Sequence, residues 1–164
     1  MPRELNGTLD GSSLAIAVVV ARFNAYVTER LLAGALGALR DRGVPDDRVV
    51  IVRVPGAFEI PLAARELAAS GRFDAVVCLG AVIRGDTPHF DFVAQAATDG
   101  LGRVMLDTGV PIAFGVLTTN TVEQALDRSV EGQSNKGAEA VETVIEMITV
   151  KRAIRALRGR AEVA

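Results

Sequence analysis

Residues 14–20, 48–54, 74–80 and 112–116 are short runs rich in Val, Ile, Leu and Ala, and between and after them apolar residues recur at helical spacing. Apolar runs of this length, unbroken by polar alternation, are the pattern of parallel strands buried on both faces. Residues 28–42 place Leu31, Leu32, Ala35, Leu36 and Leu39 on one helical stripe, closed by Gly43 and Pro45. Ile60, Ala63, Ala64, Leu67 and Ala68 form a second stripe that stops at Gly71. A third runs over residues 88–105 through Val93, Ala96, Ala97, Gly100, Leu101 and Val104, before a short helix at 121–128 and a long one at 136–157. Right-handed crossovers put such helices on either side of the sheet. The expected fold is therefore α/β, a flavodoxin-like doubly wound four-stranded parallel sheet with helices on both faces. With 164 residues, 49% of them hydrophobic, the chain supports one core. Residues 14–158 are expected to form that single domain, with a polar arm at 1–13 and a tail at 159–164. The arm is read as either without fixed structure or an edge strand added to a neighbour.

Eighteen basic and 20 acidic residues leave a net charge of -2, too balanced a field to hold nucleic acid or an anionic membrane. A small molecule or another protein is the expected partner. The first 13 residues lack the apolar stretch of a signal peptide, and the longest apolar run, 14–21, is too short to cross a bilayer, so a cytoplasmic location is expected. Cys78, the sole cysteine, sits in an apolar run and reads as packing. One histidine and one cysteine in unrelated places make no zinc site of normal spacing.

The last helix has two apolar stripes. Val141, Val144, Ile145 and Ile148 share one face, whereas Met147, Val150, Ile154 and Leu157 fall nearly opposite. Either the helix kinks or frays near Thr149, or the second stripe meets another subunit; the second is preferred because an exposed stripe would be adhesive.

Ligands of open α/β sheets sit beyond the carboxyl ends of the strands, which selects residues 21–24, 55–59, 81–89 and 117–120. The run from Gly80 to Thr87 has glycines spaced as in a phosphate loop, but Asp86 stands where that motif has lysine, which argues against a nucleotide triphosphatase. An anion site is still feasible. Gly85 lets backbone approach a ligand, Thr87 is read as an N-cap, and Pro88 as the first helical residue, with free amides pointing at the loop. His89, the only histidine, follows in the first turn, where an imidazole can accept a proton and return it. Glu59 can hold hydroxyl groups or simply complement a helix dipole. Phe23 can stack on a planar heterocycle or pack in the core, and Arg128 can clamp phosphate or offset a helix end. Lys136 reads as a solvated helix-start residue and Asp91 as an acid in the first turn of the third helix.

Arg22-Phe-Asn24, Pro55-Gly-Ala-Phe-Glu-Ile-Pro61, Gly80-Ala-Val-Ile-Arg-Gly-Asp-Thr-Pro-His-Phe-Asp91, Phe114-Gly-Val-Leu-Thr118, Glu123-Gln-Ala-Leu-Asp-Arg128 and Asn135-Lys-Gly137, taken in this order, resemble the lumazine synthase family. The resemblance implies condensation of 5-amino-6-(D-ribitylamino)uracil with 3,4-dihydroxy-2-butanone 4-phosphate to 6,7-dimethyl-8-ribityllumazine, phosphate and water, with no cofactor and no metal. It implies that Phe23 lies on the pyrimidine, Ala57, Phe58 and Glu59 lie beside the ribityl chain, and Ala81, Val82, Ile83 and Phe114 line the heterocycle pocket. Asp86 through its backbone amide, Thr87 and Arg128 would hold the butanone phosphate, and His89 would transfer protons. It further implies a pentamer in which the neighbour supplies Phe114 and Arg128, with twelve pentamers forming an icosahedral shell in some members. Residues 129–134 depart from the lysine-containing turn of shell-forming members, so the pentamer is the firmer expectation. Other readings of the same residues are a flavin-binding module without turnover, a shell protein with a vestigial site, and a pentameric riboflavin synthase. His89 is the residue a passive binder does not need.

Overall fold

The computed structural model describes residues 1–132 and 134–161, the last two by backbone alone. Four strands, β1 (Ile16–Ala21), β2 (Val49–Val54), β3 (Ala75–Ile83) and β4 (Ile112–Thr119), form one parallel sheet in the order β2-β1-β3-β4. The helices are α1 (Ala25–Asp41), α2 (Ile60–Ala69), α3 (His89–Thr108), α4 (Val122–Asp127) and α5 (Lys136–Ala161). The doubly wound arrangement expected from the alternating runs is the one observed.

The two-residue period of the strands divides the core. Ile16, Val18 and Val20 of β1 join Leu31 and Leu39 of α1 and Val141, Val144 and Ile145 of α5 on one face. Ala17, Val19 and Ala21 join Ile60 and Ala64 of α2 and Leu101 and Val104 of α3 on the other. Every residue of β1 is buried, as the central position and helices on both faces require. Gly100 lets α3 approach α2, since a Cβ there would stand 2.7 Å from Pro61 Cγ.

The structure corrects several local expectations. β2 is an edge strand rather than a buried one, with Val50 and Ile51 about two-fifths exposed. α1 begins three residues earlier than its apolar stripe suggested, because Asn24 takes the left-handed conformation (φ 61°) and turns the chain directly from strand into helix. Pro88 flanks α3 and His89 is its first residue, so Thr87 is not an N-cap of the usual kind; its hydroxyl lies 3.5 Å from the His89 amide. β3 and β4 run on three residues past their expected ends, to Ile83 and Thr119.

The arm at 1–13 contains no strand, and part of it lies on its own chain. Thr8 donates its N–H to Thr149 Oγ1 at 2.8 Å, and Gly11 donates to Arg42 O at 2.8 Å. α5 passes Thr149 without a break and continues through Ala161, so the helix does not fray there; the rest of the expected tail, 162–164, and Gln133 of the turn at 129–134 lie outside the described residues. The first α5 stripe is buried, whereas Met147, Ile154 and Leu157 of the second are 40–49% exposed. Met105, Leu106 and Val110 continue this apolar surface into a groove of about 460 Å³ beside α5.

Candidate active site

At the carboxyl end of the sheet, β1 and β2 stay joined beyond their last residues: Arg22 donates its N–H to Val54 O at 2.8 Å and Phe23 to Pro55 O at 3.0 Å. Asn24 then closes the turn, its Nδ2 donating to Ala81 O at 2.8 Å. This bond ties the end of β1 to β3 and presents the Phe23 ring outward, 70% exposed. After β2, the extended Gly56 leads into a 3-10 turn, Ala57–Glu59, that continues as α2. A Cβ at Gly56 would lie 3.3 Å from Glu59 Oε2, which places the carboxylate over the glycine backbone.

A cleft of about 750 Å³ opens between these turns and the start of α3. It brings together Phe23, Ala57, Phe58, Glu59, Ala81, Val82, Ile83, Thr87 and His89. Its floor is the buried end of β3, while the Phe23 and Phe58 rings on its rim are 70% and 65% exposed. Large aromatic rings at such exposure favour a covering ligand or subunit. Gly85, read from the sequence as a point of backbone approach, lines the cleft, and so do Phe90, Phe92 and Val93, which that reading gave no ligand role. The signal for the two phenylalanines was present in the sequence: both follow the histidine within the first helical turn, next to the loop.

Three expected residues lie elsewhere. Asp86 is exposed and does not line the cleft. Phe114 and Arg128 line a separate depression of about 490 Å³ along β4, with Lys136 and Glu139 of α5. There Arg128 Nη1 donates to Gln124 O at 3.0 Å, and Lys136 Nζ pairs with Glu139 Oε2 at 2.7 Å. One chain thus divides the expected residues between two open depressions.

Asn135, given no separate role by the sequence reading, proves to be a structural junction. It is 1% exposed, its Oδ1 accepts from Gly137 N at 2.8 Å and Ala138 N at 3.2 Å, and its Nδ2 donates to Arg30 O at 3.2 Å and Ser129 O at 3.0 Å. The sequence signal is an Asn just before a helix, the usual N-cap position.

Cys78 lies fully buried in the α2/α3 half of the core, where burial pushes its thiol well above the ordinary range. The native protein is therefore expected to resist a thiol-reactive disulfide reagent at neutral pH and to react stoichiometrically once unfolded; rapid labelling of the folded protein would contradict this placement. Among the described residues no group of three or more His, Cys, Asp and Glu side chains is disposed to hold a metal, and no helix is long and apolar enough to cross a membrane.

Residues 13–152 match the protein family described as 6,7-dimethyl-8-ribityllumazine synthase. The chain is also similar to the 6,7-dimethyl-8-ribityllumazine synthase of Desulfatibacillum aliphaticivorans, with 48% identity over 150 residues that cover 92% of this chain and 97% of that protein. With the parallel sheet, the cleft at its carboxyl end and the sequence match spanning both, the chain belongs to the 6,7-dimethyl-8-ribityllumazine synthase family, transferases of riboflavin biosynthesis.

Proposed function

We propose that the cleft around Phe23, Glu59 and His89 is where this chain condenses 5-amino-6-(D-ribitylamino)uracil with 3,4-dihydroxy-2-butanone 4-phosphate, and that a neighbouring subunit completes it. The observation that carries this reading is the division of the expected residues between two open depressions on one chain. Phe23 stacks on the pyrimidine. Ala57 and Phe58 flank the ribityl chain, and Glu59 accepts hydrogen bonds from its hydroxyls. Ala81, Val82 and Ile83, together with Phe114 of the adjacent copy, enclose the heterocycle. Thr87, the Asp86 amide and the adjacent copy's Arg128 hold the phosphate, Arg128 by paired charge-assisted bonds.

The chemistry asks for alignment more than activation. The aromatic amine adds to the butanone carbonyl and loses water to give an imine. Loss of a proton from carbon and elimination of phosphate produce an enol, which becomes a second carbonyl. Ring closure on the ribityl-bearing nitrogen releases the second water. His89 relays these protons, a role supported by its lining the same cleft as Thr87. Holding two reactants together supplies much of the acceleration.

Incomplete half-sites, the exposed edge of β2 and the bare second stripe of α5 all support a homo-oligomer, read here as a cytoplasmic pentamer. The test is to mix both substrates with the protein, follow lumazine absorbance and phosphate release together, and weigh the intact assembly. The expected result is product and phosphate in equal amounts from a particle of five chains or a multiple of five. No rate above the uncatalysed control, from folded oligomer, would overturn the assignment of the cleft; a mass that is not a multiple of five would overturn the pentamer.

A further inference from the structure

The loop that carries Gly85, Thr87 and His89 is weakly held by its own residues. Its Thr87–His89 contact is long at 3.5 Å, and a Cβ on Gly85 would meet open space. The side chain that grips the loop is Arg84. Its backbone N–H donates to Thr119 O at 2.8 Å, carrying the β3–β4 ladder one residue further. Its guanidinium Nε donates to Asn120 Oδ1 at 2.9 Å, its Nη2 stands 3.5 Å from Asp91 Oδ1, and its Cζ sits 4.4 Å from the centre of the Phe90 ring. One planar group therefore spans the loop from its first residue to the first turn of α3 and fastens both to the turn after β4. It takes no part in the cleft wall: Ile83 and Gly85 line the cleft, but Arg84 does not.

The contacts continue beyond Asn120. Asn120 donates its N–H to Gln124 Oε1 at 2.9 Å, Thr121 caps α4 by accepting from Gln124 N at 3.1 Å, and Gln124 O receives the Arg128 Nη1 bond at 3.0 Å. We propose that Arg84 is a positioning residue that fixes the His89 loop and the Arg128-bearing helix in one frame. This rests on the functional reading above. In that assembly the two ends of the frame belong to successive sites, so Arg84 sets the phosphate loop of one site and the phosphate clamp offered to the next.

The role suits arginine specifically, because bonding along the guanidinium edge while stacking on an aromatic face requires a planar fork that lysine lacks. The side chain is 45% exposed, so these bonds contribute little to global stability. Its loss should be read in kinetics rather than in unfolding.

The test compares Arg84→Gln, Arg84→Lys, Asn120→Ala and the Arg84→Gln/Asn120→Ala pair as intact oligomers. Arg84→Gln is expected to lower kcat/KM for the butanone phosphate by about tenfold, since small misplacements of reacting groups are costly, while KM for the ribitylaminouracil stays within about twofold. Arg84→Lys should be as impaired as Arg84→Gln, and the double variant no worse than Arg84→Gln alone. Thermal midpoint and native mass should match wild type. Rescue by lysine would assign Arg84 a simple charge effect on phosphate and overturn the proposal. So would additive losses, equal changes toward both substrates, or unchanged kinetics in active protein. If Arg84→Gln fails to assemble, Asn120→Ala, which removes the outer anchor, decides by the same two kinetic constants. Wild type assayed alongside separates the two ideas: an inactive wild type defeats the functional reading, and an active wild type with unimpaired Arg84→Gln defeats the frame alone.

Discussion

Chains bearing His89→Asn and chains bearing Arg128→Ala, each severely impaired alone, are expected to regain turnover when unfolded and refolded together. Loss of the imidazole removes a proton relay, expected to cost on the order of 10²-fold in kcat while the amide leaves ligand binding intact. Loss of Arg128 removes charge-assisted bonds to phosphate worth about 1.5–3 kcal/mol each, which should appear as a KM for the butanone phosphate raised by about 10²-fold. His89 lies in the Phe23 cleft, whereas Arg128 lies in the β4 depression. If adjacent copies assemble each site, an equal random mixture gives about a quarter of sites with both residues intact, and activity rises far above either parent. If both residues acted within one chain, the mixture would show only the mean of its parents. That result would also remove the partial-site argument for the pentamer.

Asn135→Ala should be the most damaging small substitution for the fold itself, costing about 3 kcal/mol and lowering the thermal midpoint by roughly 10 °C. The side chain makes four hydrogen bonds while 1% exposed, so its removal takes away the α5 cap and leaves the carbonyls of Arg30 and Ser129 without their donor. Nothing can slide in to compensate. α1 and α5 touch here through Gly34 and Gly137, where a Cβ would collide with Asn135 and with Leu31 O respectively. Asn135→Asp keeps the acceptor for the cap but turns a carboxylate oxygen toward the buried carbonyls of Arg30 and Ser129, and should cost at least as much as alanine. Unfolding at fixed protein concentration measures this, because oligomerisation shifts the midpoint by mass action. A loss below about 1 kcal/mol in Asn135→Ala would mean that the junction contributes little beyond an ordinary cap.

The strands and helices were legible because each strand is a compact apolar run and each helix carries a stripe that faces one layer of the core. Neighbour relations were less so. β2 is at least as rich in β-branched residues as β1, yet it lies at the sheet edge; the charged Arg53 within it is the one local hint, and composition otherwise does not record which strands have a single partner. The start of α1 depended on Asn24 adopting a left-handed conformation, which its sequence neighbours permit but do not require. The strand-end rule found the loops holding Phe23, Glu59 and His89, since parallel topology alone puts those loops on one edge. It selects neither Phe114, the third residue of β4, nor Arg128 after α4; the family resemblance alone set both apart from that cleft, and in the structure they line a separate depression. Asn135 reaches Arg30 across 105 positions, a contact without local sequence signature.

The packing of α5 also governs the order in which this chain can complete its fold. β1, one of the two central strands, is followed at once by α1, but the same face is closed only when Val141, Val144 and Ile145 arrive from the last of the described helices. The arm waits equally long, because Thr8 meets Thr149 across 141 positions. During vectorial synthesis the α2/α3 layer can form while the opposite side of the sheet is still half bare. A nascent chain lacking α5 therefore presents apolar strand surface to the cell, the interval in which a chaperone is most useful and premature release most hazardous.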